Sequence, residues 1–191
     1  MPFAQTTPPA RRLSWKIKLV LLIAVLLPLA GYAGVTWYVY TRQDILIFPR
    51  TVNLAQPVTV ATNPNMQMQT LITGDGIALR GLLLPPLPHS AGSAPSMTLV
   101  MAFAGNADDV TGMVDFLKNQ VFRNDNVAVA GYSYRGYSNA LHQPSDGVPT
   151  EASLEGDALV EYDTLTAILH PARVQVVGYS LGTAVGTTVQ S

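Results

Sequence analysis

The most chemically suggestive pattern in the sequence is a G-x-S-x-G motif at residues 178–182, with Ser180 at its centre. An apolar, strand-like run at residues 174–177 precedes the motif, and a helix-compatible segment follows it. A serine on a sharp strand-to-helix turn presents its hydroxyl above the strand end, where it can attack an acyl carbon. Gly178 and Gly182 flank the serine, and glycine suits these two positions because they come close to the turn. The motif therefore predicts a nucleophile elbow whose backbone N–H groups stabilise an oxyanion.

A five-residue match of this kind also arises by chance in loops, so the preceding elements decide its meaning. Two strand-like runs at residues 66–72 and 77–84 flank a Gly-Asp-Gly turn, which predicts a β-hairpin. Apolar runs typical of buried parallel strands follow at residues 98–103, 126–132 and 174–177. Helix N-caps are predicted at Asp108 or Asp109 and at Thr150. This order predicts an α/β fold, with a mostly parallel sheet that is entered by an antiparallel hairpin.

An apolar segment at residues 17–40 is long enough to form one transmembrane helix. Its core, residues 19–40, would span roughly 33 Å as a helix, against a hydrocarbon core of about 30 Å. Basic residues precede the segment: Arg11, Arg12, Lys16 and Lys18. This bias predicts a single-pass membrane protein with a cytoplasmic N-terminus and an extracytoplasmic domain. A signal peptide cleaved near residues 31–33 and a buried core helix are the two alternatives.

The domain boundaries follow from these segments. We expect a cytoplasmic tail at 1–16, the transmembrane helix at 17–40, a connector at 41–64 and the α/β domain at 65–191. The net charge of -1 gives no reason to expect nucleic acid as a partner. The sequence has no cysteine, which excludes disulfides and thiol catalysis, and its 3 histidines are far apart. We therefore predict neither a metal nor a cofactor.

The combination of motifs resembles the α/β-hydrolase superfamily. It is most similar to the membrane-anchored "α/β-hydrolase domain-containing" branch, which overlaps lysophospholipase-like and serine-aminopeptidase-like proteins. The similarity covers roughly residues 43–191 and rests on short stretches at residues 45–49, 74–76, 103–107, 132–138 and 178–182. The resemblance implies that Ser180 is the nucleophile. It also implies an oxyanion hole made by the N–H of Leu181 and one from the loop at Gly105 and Asn106.

The chain departs from this family in three places. Ala104 stands where the family usually has a histidine that braces the oxyanion loop, and Ser133 where it usually has an aspartate. The resemblance places Arg135 beside the site, either as a site residue or as an anchor of its loop. The family's triad runs serine, acid, histidine along the chain, but no Asp, Glu or His follows Gly182. We therefore expect a fragment that lacks about 100 residues, with the catalytic acid and base beyond Ser191.

Two functions from different classes follow. The first is a membrane-anchored serine hydrolase that cleaves ester or amide bonds through an acyl-enzyme at Ser180, the chain as given being inactive. Its substrate would be a small acyl ester, a lipid or a peptide. The second is a non-catalytic, membrane-anchored binding or scaffold protein with a relic elbow. Of the upstream histidines, His142 has the wrong chain order for a base, and His170 is expected at the far edge of the sheet.

Overall fold

The structure is a computed structural model that describes residues 14–48, 65–86, 96–106, 108–123, 126–138 and 144–190. The chain divides into two compact units, Met1–Leu46 and Ile47–Ser191. Most of the predicted connector, residues 49–64, lies outside the described residues, as do His89 and His142. The candidate site therefore has to be built from the described part of the second unit.

Helix α1 (Trp15–Ile47) forms most of the described part of the first unit, which ends at Leu46, and it continues past the predicted end of the apolar segment at residue 40. The span Trp15–Gln43 has a hydropathy of 2.3, and none of its most apolar window is buried. Pro28 lies inside the helix, a position that is tolerated in a membrane-spanning helix. The helix is long and apolar enough to cross a membrane, and a signal sequence would have the same properties. The exposure of its side chains argues against a core helix.

A five-stranded sheet with strand order β1-β2-β4-β3-β5 forms the centre of the second unit. Its strands are β1 (Gln67–Ile72), β2 (Ala78–Leu84), β3 (Thr98–Phe103), β4 (Val127–Tyr132) and β5 (Arg173–Gly178). Strand β2 pairs antiparallel with β1 and β4, while β3 pairs in parallel with β4 and β5. The sheet is therefore mixed, and the predicted entry hairpin is confirmed.

The hairpin turn is set by its glycine and threonine residues. Gly76 has φ 81°, a backbone conformation that glycine adopts without steric cost. The N–H of Thr73 donates to the carbonyl oxygen of Ile77 at 2.9 Å, and the N–H of Ile77 donates back to Oγ1 of Thr73 at 3.1 Å. These bonds close the turn and place Ile72 opposite Ala78 in the register.

The described part of the second unit has the α-helices α2 (Val110–Phe116), α3 (Glu151–Leu169) and α4 (Leu181–Thr188). Asp109 caps α2 by accepting a hydrogen bond from the N–H of Thr111 at 3.0 Å. A π-helical turn at Leu117–Val121 continues α2, so the α-helix itself is shorter than the sequence indicates. Thr150 caps α3 in a reciprocal capping box, which confirms the predicted N-cap.

The helices cover both faces of the sheet, which explains how β3 can be apolar along its whole length. Leu99, Met101 and Phe103 belong to the hydrophobic cluster that includes residues of α3 and α4. Val100 and Ala102 belong to the cluster that includes residues of α2. Successive side chains of a strand point to opposite faces, so a continuous apolar run indicates a strand that is buried on both sides.

Candidate functional site

The loops that follow β3 and β5 start side by side at one edge of the sheet. Phe103 at the end of β3 is the register partner of Gly178 at the end of β5. Beyond that pair, the N–H of Tyr179 donates to the carbonyl oxygen of Phe103 at 3.0 Å. A Cβ placed on Gly105 would lie 3.0 Å from Cδ1 of Tyr179, so the ring of Tyr179 lies against this glycine. The structure thus brings the loop at residues 104–106 next to the turn that carries Ser180.

Ser180 occupies the turn between β5 and α4 in a conformation that a non-glycine residue rarely adopts. Its backbone angles are φ 51° and ψ -115°, and α4 begins at the next residue. Ser180 stands at the N-cap of this helix, yet its side chain makes no capping hydrogen bond. The residue is exposed. A serine in this position has a hydroxyl that is not committed to the backbone, on a turn whose strain must be stabilised by the surrounding structure.

The two glycines of the motif are required by close backbone approaches. A Cβ on Gly178 would lie 2.6 Å from the carbonyl carbon of Gly182 and 2.7 Å from Cα of Thr183. A Cβ on Gly182 would overlap the carbonyl group of Phe103 and lie 2.7 Å from the oxygen of Ala104. Real Cβ atoms essentially never lie within 3.0 Å of a heavy atom outside their own residue and its chain neighbours. Gly178 therefore lets the turn close, and Gly182 lets α4 lie directly against the end of β3.

Backbone donors without acceptors lie on both of these segments. Within the described residues, the N–H groups of Gly105, Asn106 and Leu181 have no hydrogen-bond partner. Leu181 is the first residue of α4, where the N–H has no acceptor inside its own helix and the helix dipole is positive. An oxygen that gains negative charge beside Ser180 could be stabilised by donors of this kind.

The guanidinium of Arg135 links two parts of the fold through two ion pairs. Its guanidinium bonds to the carboxylate of Asp157 at 2.7 and 2.6 Å, and to that of Asp75 at 2.5 and 3.0 Å. The hydrogen bonds that Arg135 donates to Asp157 and Asp75 raise the pKa of Arg135. Hydrogen bonds from Arg135 and then from Thr73 lower the pKa of Asp75 to about 2. Asp75 lies in the β1–β2 turn and Asp157 on α3. We therefore interpret Arg135 as the anchor of its loop.

Glu161 on α3 is a buried carboxyl group that sequence reasoning missed. Only 3% of the residue is exposed, and burial raises its pKa well above the ordinary value, with the charge of Asp157 adding to the effect. Burial and then the charge of Glu161 also raise the pKa of Tyr132 and of Tyr134. A signal was available in the spacing, because Glu161 comes three residues after Ala158 and four before Leu165, on the face of α3 that is buried.

His170 lies far from the turn at Ser180. It is the C-cap of α3 with φ 46°, it is exposed, and it leads into the start of β5, whereas Ser180 follows the end of that strand. Among the described residues, no group of three or more His, Cys, Asp or Glu could hold a metal ion. Ser133 is buried, and its hydroxyl has no partner in the described part of the chain.

An apolar cleft of about 460 Å³ adjoins the turn on the α2 side of the sheet. Gly178 and Tyr179 line one wall, and Met113, Phe116 and Leu117 line the other. Phe116 and Tyr179 are both more than half exposed, at 57% and 63%. The cleft could therefore take an apolar group next to the elbow.

Neither known family models nor curated proteins match this sequence. Solved structures do match. A protein from Agrobacterium vitis S4 that is named as a hydrolase superposes with a TM-score of 0.50 at 18% identity, over 65% of this chain and 44% of that one. The Pyrococcus furiosus esterase Pf2001 has a TM-score of 0.49 at 17% identity, over 72% and 50%. The epoxide hydrolase VrEH1 from Vigna radiata has a TM-score of 0.46 at 15% identity, over 65% and 35%.

The first of these likenesses, with a TM-score of 0.50, shows the class of fold. The second unit has the α/β fold of α/β-hydrolase proteins, with its mixed five-stranded sheet. At such identities the likeness extends to the fold alone. The chain spans between 35% and 50% of the length of these three solved structures. The activity of the protein therefore has to be argued from the residues at the site.

Proposed function

We propose that the protein is a membrane-anchored serine hydrolase that forms an acyl-enzyme at Ser180. One observation carries the proposal. Ser180 has φ 51° and a hydroxyl that makes no capping hydrogen bond, and it lies between two glycines at which a Cβ atom would clash with backbone atoms. A non-glycine residue held in such a conformation is common at functional sites, where the strain presents a reactive group. The donors of Gly105, Asn106 and Leu181 provide a matching oxyanion hole.

In this proposal the Oγ of Ser180 forms a bond to the acyl carbon while a base removes its proton. The carbonyl oxygen of the substrate becomes an oxyanion and accepts hydrogen bonds from Leu181 and from Gly105 or Asn106. Collapse of this intermediate breaks the bond to the leaving alcohol or amine, which takes up the proton. Water then releases the acid by the reverse sequence. The histidine and acid that serve as base and orienting group lie outside the described residues.

The proposed substrates are acyl esters, including lipids, or peptides. The apolar cleft beside Tyr179 supports an apolar acyl or alkyl group. The long apolar helix α1 supports an enzyme that is held beside a bilayer, where such substrates collect. Hydrolysis of p-nitrophenyl esters of increasing chain length, compared with aminoacyl p-nitroanilides, separates the ester and amide alternatives.

The test of the nucleophile is covalent labelling of the full-length protein with a fluorophosphonate. Wild type should be labelled, and Ser180→Ala should lose labelling and about 1,000-fold or more of its activity. Ser96→Ala is the matched control, because Ser96 is exposed and lies before the start of β3, away from the elbow. Labelling that persists in Ser180→Ala would refute the nucleophile. A wild type that stays unlabelled beside a reactive standard hydrolase would favour the non-catalytic scaffold.

The membrane topology can be tested with cysteines, because the sequence has none of its own. Single cysteines at Ser14 and Ser96 stand before and after α1. With an impermeant maleimide on intact cells, Ser96→Cys should react and Ser14→Cys should react only after lysis. Loss of an N-terminal tag from the mature protein would instead identify α1 as a cleaved signal.

A further inference from the structure

The loop at residues 104–106 needs support, because the N–H groups of Gly105 and Asn106 can act on an oxyanion only if the loop holds its shape. Two tyrosine hydroxyls reach it from the segment after β4. Tyr134 donates to the carbonyl oxygen of Ala104 at 2.8 Å, and Tyr137 donates to Oδ1 of Asn106 at 2.5 Å. The amide nitrogen of Asn106 donates to the carbonyl oxygen of Ile47, the first residue of the second unit. The loop is thus held along its length by hydroxyl and carbonyl groups.

The two tyrosines form a rigid platform. They are 6% and 5% exposed, and their rings meet edge to face with centroids 5.8 Å apart at 89°. The N–H of Tyr137 donates to the carbonyl oxygen of Tyr134 at 2.9 Å, and Gly136 between them has φ 72°. The paired carboxylates of Asp75 and Asp157 hold Arg135 in the same turn. Buried rings on a pinned turn keep their hydroxyls in place.

The bond from Tyr134 has a direct effect on a proposed oxyanion donor. The carbonyl of Ala104 and the N–H of Gly105 belong to one peptide unit, which is planar and trans. In such a unit the C=O and the N–H point in opposite directions. A hydrogen bond that draws the carbonyl of Ala104 toward the buried Tyr134 therefore turns the N–H of Gly105 the other way, away from the platform.

We infer that Tyr134 and Tyr137 are positioning residues that aim the N–H groups of Gly105 and Asn106 at the oxyanion. This inference rests on the proposed function. Tyr134 acts through the peptide of Ala104, and Tyr137 acts through the side chain of Asn106. Neither hydroxyl is required to touch the substrate. Ala104 has no polar side chain that could brace the loop at residues 104–106. The hydroxyls of Tyr134 and Tyr137 brace that loop instead.

The test replaces each tyrosine by phenylalanine, which keeps the ring packing and removes only the hydroxyl. Because an oxyanion forms only in the transition state, Tyr134→Phe and Tyr137→Phe in the full-length protein should lower kcat about 10-fold or more and leave KM unchanged. Both substitutions should also weaken, by a similar factor, the binding of a boronic acid, which forms a tetrahedral adduct with serine. The unfolding temperature should fall by only a few degrees, since one hydrogen bond is lost.

Tyr162→Phe is the matched control, because Tyr162 lies on α3, away from the loop at residues 104–106. Ser180→Ala is measured in parallel. If Ser180→Ala abolishes turnover while both tyrosine variants match Tyr162→Phe in kcat, the positioning role is wrong and the hydrolase stands. A rise in KM at constant kcat overturns it as well. If Ser180→Ala retains turnover, the proposed function itself fails. Should Tyr134→Phe not fold, Tyr137→Phe alone decides between these outcomes.

Discussion

Gly182→Ala tests the close approach of α4 to β3, on which the geometry of the elbow depends. In an open helix, alanine is more favourable than glycine by about 1 kcal/mol. At this position the new Cβ would overlap the carbonyl group of Phe103 and lie 2.7 Å from the oxygen of Ala104. Both obstacles are backbone atoms, so the whole of α4 must move away. Overpacking of this kind costs about 3 kcal/mol at its upper end, which leaves a net loss of about 2 kcal/mol.

The matched control is the same substitution in a neighbouring helix. Gly156 lies inside α3, and nothing lies within 4 Å of a Cβ built on it. Gly156→Ala should therefore stabilise the protein by about 0.5–1 kcal/mol. For a chain of this size, 1 kcal/mol corresponds to about 2–4 °C in unfolding temperature. We expect Gly182→Ala to melt about 4–8 °C below wild type and Gly156→Ala to melt a few degrees above it.

Thermal unfolding of the full-length protein in detergent, followed by circular dichroism, measures both changes. Urea titration at constant temperature provides a second measurement that does not depend on reversible heating. The fluorophosphonate labelling rate at Ser180 should fall in Gly182→Ala and stay unchanged in Gly156→Ala. If both substitutions shift the unfolding temperature in the same direction, the close packing of α4 on β3 is refuted.

Three further predictions concern the charged or titratable side chains of Arg135, Asp75 and Glu161. Arg135→Met leaves the nearly buried carboxylate of Asp157 without its partner, so it should cost about 3 kcal/mol in urea unfolding. Asp75→Asn should cost less, because its side chain is 57% exposed, and equal losses would contradict the interpretation of Arg135 as an anchor between the two carboxylates. The pKa of Asp75 is lowered to about 2 from an ordinary 3.8, so its contribution is complete above about pH 4 and lost as the pH falls toward 2. Stability measured against pH in Asp75→Asn should lack this acid-side loss, and an unchanged profile would refute the ion pair. Glu161 has a raised pKa, so the folded state holds a proton that the unfolded state releases above its ordinary pKa of 4.5. Glu161→Gln should therefore raise the unfolding temperature at pH 7 and leave it nearly unchanged at pH 4, whereas a destabilised variant at pH 7 would show that the charged form is favoured.

Most of the secondary structure could be predicted because its signals are local. The caps at Asp109 and Thr150 depend on side chains that bond to N–H groups two or three residues away. The hairpin depends on one short turn, and the elbow on five consecutive residues that end a strand and begin a helix. Gly178 and Gly182 were predicted from the crowding of such a turn, and the structure shows the backbone atoms that crowd them.

The parts that could not be predicted depend on contacts between distant residues. Arg135 bonds to Asp75 and Asp157 across 60 and 22 positions of the sequence. The sequence alone therefore does not decide whether Arg135 is a site residue or an anchor of its loop. Tyr134 meets Ala104 across 30 positions. The insertion of β4 between β2 and β3 likewise depends on packing between strands that are distant in the sequence, which periodicity does not encode.

The backbone angle at Ser180 presents the hydroxyl of the residue but lowers the stability of the folded protein. A φ of 51° suits glycine, whereas a side chain there holds about 1–3 kcal/mol of strain. Glycine would release that strain. Its greater conformational freedom in the unfolded chain would cost only about 0.5–1 kcal/mol of stability. The Ser180→Gly variant should therefore be inactive and should unfold at a higher temperature than the wild type. A laboratory evolution that rewarded only heat tolerance would be expected to discard this hydroxyl among its first changes.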